Sequence, residues 1–460
     1  MSNNKDLCCQ IGETPVERSL VHLKRVCNHN VHITMSEPPQ THRHRVLIVG
    51  GGPAGATAAF FLAKAGFHCT VAERSTNKFA YGQGIDITGP AIKIVQKMGV
   101  YDMIKSKVTG EAGFAFLDDN GEVIAVVGTA ENANGKGLSL TQEIEIMRGD
   151  VTQILADRAK ESERVEYRYG CMVSELHQIE SEGKESVTAV LSDTGKAESF
   201  HAVIGADGIM SRTRKLAFSQ DVVKDCYKGQ DQYTAFFSMP HEHSDVPNAR
   251  VQHAPGGRAV LIRPTSISSP IRSSCYMIST GASPAFQAAL SQTPEEQKSL
   301  FAATFATFPS NTGDRVLRGM WDSTDFYLAQ TAQVKLPTWS SGRVVLTGDA
   351  AYCPSPPTGM GTVLAILGSY IIAGEMARSP DDPVAAFTKY EERLRGYVEK
   401  AQYVPLAGYL PALGNPQTWL GVWLLRLVFW AIARSGVWKL ISIKQGDDKF
   451  ELPEYEFNWK

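Results

Sequence analysis

What this sequence lacks narrows the field first. Its charges nearly cancel, with 46 Lys and Arg against 48 Asp and Glu and a formal net charge of −2. No basic field is available to attract a polyanion, so nucleic acid is not an expected partner. Cysteine is sparse and scattered, at positions 8, 9, 27, 69, 171, 226, 275 and 353, with no C-x-x-C pair. No Cys/His spacing suits a metal, and none is expected. The N-terminus lacks the uninterrupted apolar stretch of a secretory signal, and Glu13 and Glu17 fit a transit peptide poorly. No internal repeat or low-complexity block is found. With 43% hydrophobic and 20% charged residues, the composition excludes collagen-like, generally disordered and disulfide-scaffold classes. The expectation is a reduced, cytoplasmic protein.

The 460 residues are about three times a ~150-residue single domain, enough for a large α/β core or several lobes. Residues 1–44 show no sustained periodicity and read as a flexible tail, and Met35 offers an alternative start. Order sets in at Val46. The run Val46-Leu47-Ile48-Val49 reads as a parallel strand buried on both faces. Gly50-Gly51-Gly52-Pro53-Ala54-Gly55 follows at once, then an Ala-rich helix from about 56 to 65, then a strand His68–Ala72 that delivers Glu73-Arg74.

That arrangement meets the context a G-x-G-x-x-G loop requires. Gly50 permits the tight turn, Gly52 lets a pyrophosphate approach the backbone, and Gly55 allows close packing of helix on strand. The helix N-terminus turns its partial positive charge toward the phosphates. Glu73, at the expected spacing of about 20 residues, can accept from ribose hydroxyls. An acidic strand end favours FAD or NAD over NADP.

Further along, short strands are expected between 112 and 145 around the turn Asp118-Asp119-Asn120-Gly121, and a helix from about 150 to 162. Strands near 165–173, 187–192 and 200–205 follow. From 230 to 280 the pattern is β-rich, with a hairpin of Ala249–His253 and Ala259–Arg263 about Pro255-Gly256-Gly257. Helices are expected near 294–307, 361–378 and 383–402.

Three more features decide between the nucleotides. Arg148 opens the helix Gly149-Asp150-Val151-Thr152-Gln153-Ile154-Leu155. The segment Gly205-Ala206-Asp207-Gly208-Ile209-Met210-Ser211-Arg212-Thr213-Arg214 and the segment Gly348-Asp349-Ala350-Ala351-Tyr352 through Pro356-Pro357-Thr358-Gly359-Met360-Gly361 follow in order. Together with the first loop they resemble the FAD motifs of single-component aromatic hydroxylases of the para-hydroxybenzoate hydroxylase type. The chain is nearest to the tetracycline-inactivating branch and related fungal secondary-metabolite hydroxylases, over residues 45–400. The resemblance implies a Rossmann-like α/β FAD-binding domain with a parallel sheet, a substrate β-sheet inserted into it, and a C-terminal helical region. The boundaries expected are 45–111, 146–225 and 336–403 for the FAD domain, 112–145 and 226–335 for the substrate domain, and 404–460 for the helical region.

The same resemblance implies reduction of FAD by NAD(P)H, activation of O2, and transfer of one oxygen to an electron-rich substrate. Its cofactor-binding residues would be Gly50, Gly52, Ala54, Gly55, Glu73, Arg74, Gln83, Gly84, Arg148, Asp207, Gly208, Asp349, Pro356, Gly359, Met360 and Gly361. Asp349 would accept from the ribityl chain, and the helix near 361 would face the flavin edge and favour its reduced anion. Tyr352 and Val363 depart from the family's usual His and Asn. No second G-x-G-x-x-G follows a strand, which disfavours two-dinucleotide enzymes, and no Trp-x-Trp pair suggests a tryptophan-type halogenase.

The substrate side is less legible. Tyr233, Phe236, Phe237 and Arg263 are pocket candidates, although Phe236 and Phe237 read more readily as sheet core. His253 is a candidate base on thin grounds. The stretch 404–443 is rich in Trp, Leu and Ile, broken by Pro405, Pro411 and Pro416 and by Arg426, Arg434 and Lys439. It is expected as a helix packed across the domains or a lip at the substrate entrance, with peripheral membrane contact as the lesser alternative. The overall expectation is an FAD monooxygenase acting on a bulky hydrophobic aromatic or polyketide-like metabolite. An isoprenoid epoxidase or cyclase at a membrane, and a flavin-bound sequestering protein, stand as alternatives.

Overall fold

The computed structural model describes residues 44–76, 82–128, 144–179, 185–266, 272–404, 410–436 and 450–458. The expected tail up to 43, Met35 and Lys439 lie outside the described residues.

Val46 to Val49 are apolar on both faces because both faces are covered. The strand Arg45–Val49 lies between Ala202–Gly205 and His68–Glu73, all parallel, in a six-stranded sheet. The sheet continues to Val344–Leu346 and the antiparallel edge Ser340–Ser341 on one side, and to Val165–Tyr169 on the other. Val46 and Ile48 pack into a core with residues of the helices Pro53–Lys64, Arg148–Lys160 and Gly361–Arg378. Leu47 and Val49 pack the opposite way, against a three-stranded antiparallel sheet of Val173–Ile179, Ser186–Leu191 and Ala197–Phe200.

A separate seven-stranded sheet runs in the order Tyr327–Val334, Tyr227–Pro240, Arg272–Thr280, Arg258–Pro264, Ala249–Ala254, Gly113–Leu117 and Val123–Gly128. One pair in it is parallel, Ala249–Ala254 with Gly113–Leu117. Its back face is buried under the helices Pro284–Ala289, Pro294–Phe305 and Ser310–Asp322, through Phe286, Phe301, Phe305, Val316 and Met320. Its front face meets a two-stranded pair, Gly84–Asp86 against Glu145–Met147, and a helix, Trp419–Ser435.

Two element boundaries differ from the sequence reading, each for a local reason. The first helix starts at Pro53, which needs no N–H donor at that position. The helix that Arg148 was expected to open does start there. The expected strand 165–173 is two strands of different sheets, divided at Gly170, whose φ is +67°. The C-terminal stretch contains the expected helix. Trp419–Ser435 packs on the seven-stranded sheet through Val422, Phe429, Ile432 and Ala433. The return to the helices of the parallel sheet is made by 450–458. There Tyr455 and Phe457 are buried, and the Asn458 N–H donates to the Lys64 carbonyl at 3.0 Å. No helix of the described residues is long and apolar enough to cross a membrane. Cys69, Cys171, Cys226, Cys275 and Cys353 are buried free thiols.

Candidate active site

Three loops at the carboxyl ends of parallel strands converge. Gly50 takes φ +103°, and a Cβ there would stand 2.5 Å from the Ala206 carbonyl oxygen. Only glycine lets the first loop lie against the second. A Cβ at Gly55 would stand 1.9 Å from the Gly50 carbonyl oxygen, so the helix sits directly on the turn. The third loop joins at Gly348, where a Cβ would approach Ala54 and Ala365 Cβ atoms at 3.3 and 3.4 Å. Around Gly52 there is open space instead.

Two helix N-termini are left unsatisfied at this junction. Neither Pro53–Lys64 nor Gly361–Arg378 has a side-chain cap or an acidic residue in its first turn. Their free N–H groups and dipoles are available to an anion or an electron-rich ring edge. Asp349 is half-buried, with Oδ1 3.8 Å from where a Gly361 Cβ would stand. Burial pushes its carboxyl up, while the nearby charge of Arg148 and a hydrogen bond with Cys353 oppose this. The Arg148 side chain is exposed, and among the described residues its guanidinium has no hydrogen-bond or ion-pair partner. Ser355 holds φ +87° and a buried hydroxyl with no partner among the described residues.

The acidic groups carry structural bonds as well. Glu73 accepts from the Gly51 N–H and the Ser75 N–H, each at 2.8 Å. Arg74 is exposed beside it. Asp207 accepts from the Ser211 hydroxyl at 2.5 Å and from the Thr213 N–H at 2.9 Å, so it ties down the turn after Gly208. Arg214, which the sequence showed only as part of a motif, is buried and donates to the Ile209 and Ala350 carbonyls at 2.7 and 2.8 Å. It fastens the second loop to the third. Tyr352 turns inward, bonded to Tyr390 at 2.8 Å and Thr347 at 3.1 Å, and Val363 is fully buried. Both departures from the family pattern are therefore core residues.

The seven-stranded sheet faces this junction through one row of side chains in cross-strand register. Tyr327, Phe236, Tyr276, Leu261, Val251, Phe116 and Ala125 follow one another across it. Phe236 stacks on Tyr327 and meets Tyr276 edge-on, both with ring centroids at 4.9 Å. The Tyr327 hydroxyl donates to the Gln83 side-chain oxygen, and the Gly84 N–H donates to the Tyr276 hydroxyl at 2.9 Å. At the far end Phe116 stacks on Phe429 at 3.8 Å.

Strand alternation splits the four pocket candidates. Phe236 is on this front face. Tyr233 and Phe237 point to the back, where Tyr233 stacks on Phe286 at 5.2 Å and both join the helix-covered core. They are core residues rather than pocket lining. Arg263 is on the front but already engaged: it makes bidentate bonds to Glu111, both 2.9 Å, and its Nη2 also meets Glu145 Oε1. His253 lies under the Trp419–Ser435 helix, away from Gln83. Burial and the neighbouring Arg426 lower it to about 4, against a hydrogen bond to the Gly414 backbone, so at neutral pH it is an uncharged docking group.

The residues that sequence reasoning passed over are Glu145 and Glu111. Burial pushes Glu145 up to about 8 despite Arg263, with Glu111 and Asp86 adding to the rise. Asp86 rises to about 6 for the same first cause, opposed by Arg263. The available signal for Glu145 was a carboxylate placed between Ile144 and Ile146.

Comparisons with known proteins agree with this geometry. A family model described as "FAD binding domain" matches residues 43–381. Monooxygenase CTB7 of Cercospora beticola is 46% identical over 90% of this chain and 98% of its own length. The chain belongs to the FAD-binding family of flavin-dependent monooxygenases. FAD-dependent monooxygenase asL6 of Sarocladium schorii is 30% identical over 89% of this chain and 98% of its own. The crystal structure of tetracycline destructase Tet(51) superposes with a TM-score of 0.69 at 27% identity, covering 90% of this chain and 99% of that one. The flavoprotein's own residues fit the cofactor: the space at Gly52, and the Arg148 guanidinium and Ser355 hydroxyl that have no hydrogen-bond partner among the described residues, all lie on the three loops or at the start of the helix beside Asp349.

Proposed function

We propose that this monooxygenase uses NAD(P)H and O2 to hydroxylate or oxidatively rearrange a bulky, weakly charged aromatic or polyketide-like metabolite. The observation that carries the substrate class is the row Tyr327–Phe236–Tyr276–Leu261, aromatic and aliphatic, beside Gln83 and Gly84. Arg263, on this face, is already engaged by Glu111 and Glu145. A planar apolar substrate is favoured over an anion.

FAD, when bound, supplies hydride acceptance and oxygen activation. The protein supplies position. Gly50, Gly52, Ala54 and Gly55 would hold the pyrophosphate on the first helix, with Glu73 and Arg74 at the adenosine ribose. Arg148 and Asp349 would hold the ribityl chain, and Asp207-Gly208 would shape the middle of the site. Pro356, Gly359, Met360 and Gly361 would present the second helix N-terminus to the ring edge, opposite Gln83 and Gly84. The boundaries 45–111, 146–225 and 336–403 for the FAD domain, with 112–145 and 226–335 for the substrate domain, are supported by the strands of the six-stranded sheet falling in the first set and those of the seven-stranded sheet in the second.

The test is reconstitution with FAD, then NAD(P)H consumption against a panel of phenolic and fused aromatic compounds under labelled O2. Substrate-stimulated consumption with one labelled oxygen atom in the product is expected. Label in water alone would sink the assignment.

A further inference from the structure

Beyond the loops and the aromatic row, the seam between the two sheets holds a cluster that this function has not used. Glu145 and Asp86 stand directly opposite each other in the antiparallel pair Gly84–Asp86 with Glu145–Met147. Like charges at opposed positions repel, and burial removes the solvent that would screen them. Arg263 reaches the pair from the seven-stranded sheet, but Glu111 takes it bidentately. Three carboxyls therefore share one guanidinium. The Glu145 side chain is 5% exposed, and its Oε2 has no hydrogen-bond partner among the described residues. A carboxylate oxygen left bare in such a place is costly, whereas a carboxylic acid tolerates it. The charged and titratable groups facing Glu145 are Arg263, Glu111 and Asp86, with Tyr276 beside them. None of these adds a second positive charge. Among the described residues no group of His, Cys, Asp and Glu is arranged to hold a metal ion.

The cluster also has an outlet. Asp86 is half-buried, and its Oδ2 lies 3.5 Å from where a Cβ on Gly359 would stand, at the loop that leads into the Gly361–Arg378 helix. Glu145 is thus shut in, and Asp86 stands between it and the third cofactor loop.

We propose that Glu145 is a proton store, which releases its proton through Asp86 to the Gly359 loop and refills through Asp86 from solvent. The inference rests on the reading that this loop borders bound FAD. The stoichiometry gives the store a use. Hydroxylation runs as NAD(P)H + H⁺ + O2 + RH → NAD(P)⁺ + ROH + H2O, and turnover without substrate runs as NAD(P)H + H⁺ + O2 → NAD(P)⁺ + H2O2. Either way one proton is consumed per cycle. It leaves the Glu145 carboxyl, which becomes the carboxylate against Arg263, and a solvent proton restores it. Glu145 acts through Asp86 and is a positioning and storage residue, not one that touches the reacting atoms.

Two measurements test this, and the first needs neither cofactor nor substrate. Infrared difference spectra of the full chain at pH 7 should show a deuterium-sensitive carboxylic C=O band. The band should vanish in Glu145→Gln and fade in the wild type as pH rises through about 8. Absence of the band, or its survival in Glu145→Gln, overturns the proposal. The second follows NADPH or NADH consumption by the FAD-loaded protein without substrate, across pH 5.5–9. Wild-type kcat should fall on the alkaline side, and Glu145→Gln should lose that limb and run at least about tenfold slower at pH 7. Glu145→Asp should restore part of both. A pH profile unchanged in Glu145→Gln, with flavin retained, overturns the coupling to turnover. If the wild type binds no FAD, the function assigned above fails instead, and the infrared band still decides the proton store.

Discussion

The cofactor junction and the front of the seven-stranded sheet are built on opposite rules. At the junction the backbone does the positioning, and side chains matter mainly by being absent. Gly50 and Gly55 are required because a Cβ would meet carbonyl oxygens at 2.5 and 1.9 Å. On the sheet the side chains are the site, and which face they take depends on register alone. Phe236 and Phe237 are neighbours in sequence, yet one stacks on Tyr327 before the cofactor loops and the other joins the helix-covered core. A motif made of glycine can be read from a string of letters. A face cannot, until the pairing of the strand is known.

The largest effect should break the junction. Gly55→Val places branched carbons where even one does not fit, and a loss of more than about 4 kcal/mol is expected. Circular dichroism melting and flavin retention would show it. If Gly55→Val folds and binds FAD as the wild type does, the close packing of helix on turn is wrong.

The adjacent phenylalanines sharpen the contrast. Phe237→Ala should cost about 3–5 kcal/mol, the usual range for emptying a phenylalanine site in a packed core. Phe236→Ala should cost visibly less stability and instead raise KM for an aromatic substrate. Urea unfolding beside steady-state kinetics separates the two. Equal stability losses with equal kinetics would erase the distinction between the faces.

Much of the fold was legible because buried parallel strands and glycine turns leave local signatures. The strand Arg45–Val49, the helix Gly361–Arg378 and the hairpin about Pro255-Gly256-Gly257 came directly from them. The sheet face was not legible, because Tyr233, Phe236 and Phe237 are of one chemical kind and separate only by parity. Arg263 read as a pocket candidate because Glu111 and Glu145 are distant in sequence and meet it only in the folded chain. Arg214 was hidden similarly, since its partner carbonyl belongs to Ala350.

On the junction side, Asp349→Ala should weaken FAD binding by about 1.5–3 kcal/mol, the worth of a hydrogen bond to a charged group. Quenching of flavin fluorescence during titration measures it directly. Unchanged affinity would remove Asp349 from the ribityl position.

At the seam between the regions, pH gives a signed effect. The Glu145 carboxyl titrates near pH 8 when folded, above the ordinary 4.5. Its contribution to stability is therefore whole below about pH 4.5 and is lost as pH rises toward 8. The slope from this one group cannot exceed about 1.4 kcal/mol per pH unit. Glu145→Gln should flatten that part of the decline in urea midpoints between pH 5 and pH 8. A parallel decline in both proteins would show that Glu145 is ionised throughout.

The smallest effect concerns the outer edge of the sheet region, where one helix repeats the same two-sided logic. Phe429 of Trp419–Ser435 faces inward and stacks on Phe116 at 3.8 Å, while Trp423 is 48% exposed. Half-exposed apolar residues on a helix gain little from folding, since most of their surface stays wet in both states. Trp423→Gln should therefore shift stability by no more than about 0.5 kcal/mol. Phe429→Ala should cost more, because it strips the contact that seats the helix over Val251 and Phe116. Both are read from the same urea curves. A loss above 1 kcal/mol for Trp423→Gln would mean that the outward face is covered in solution, and the helix would then count with the buried side of the comparison.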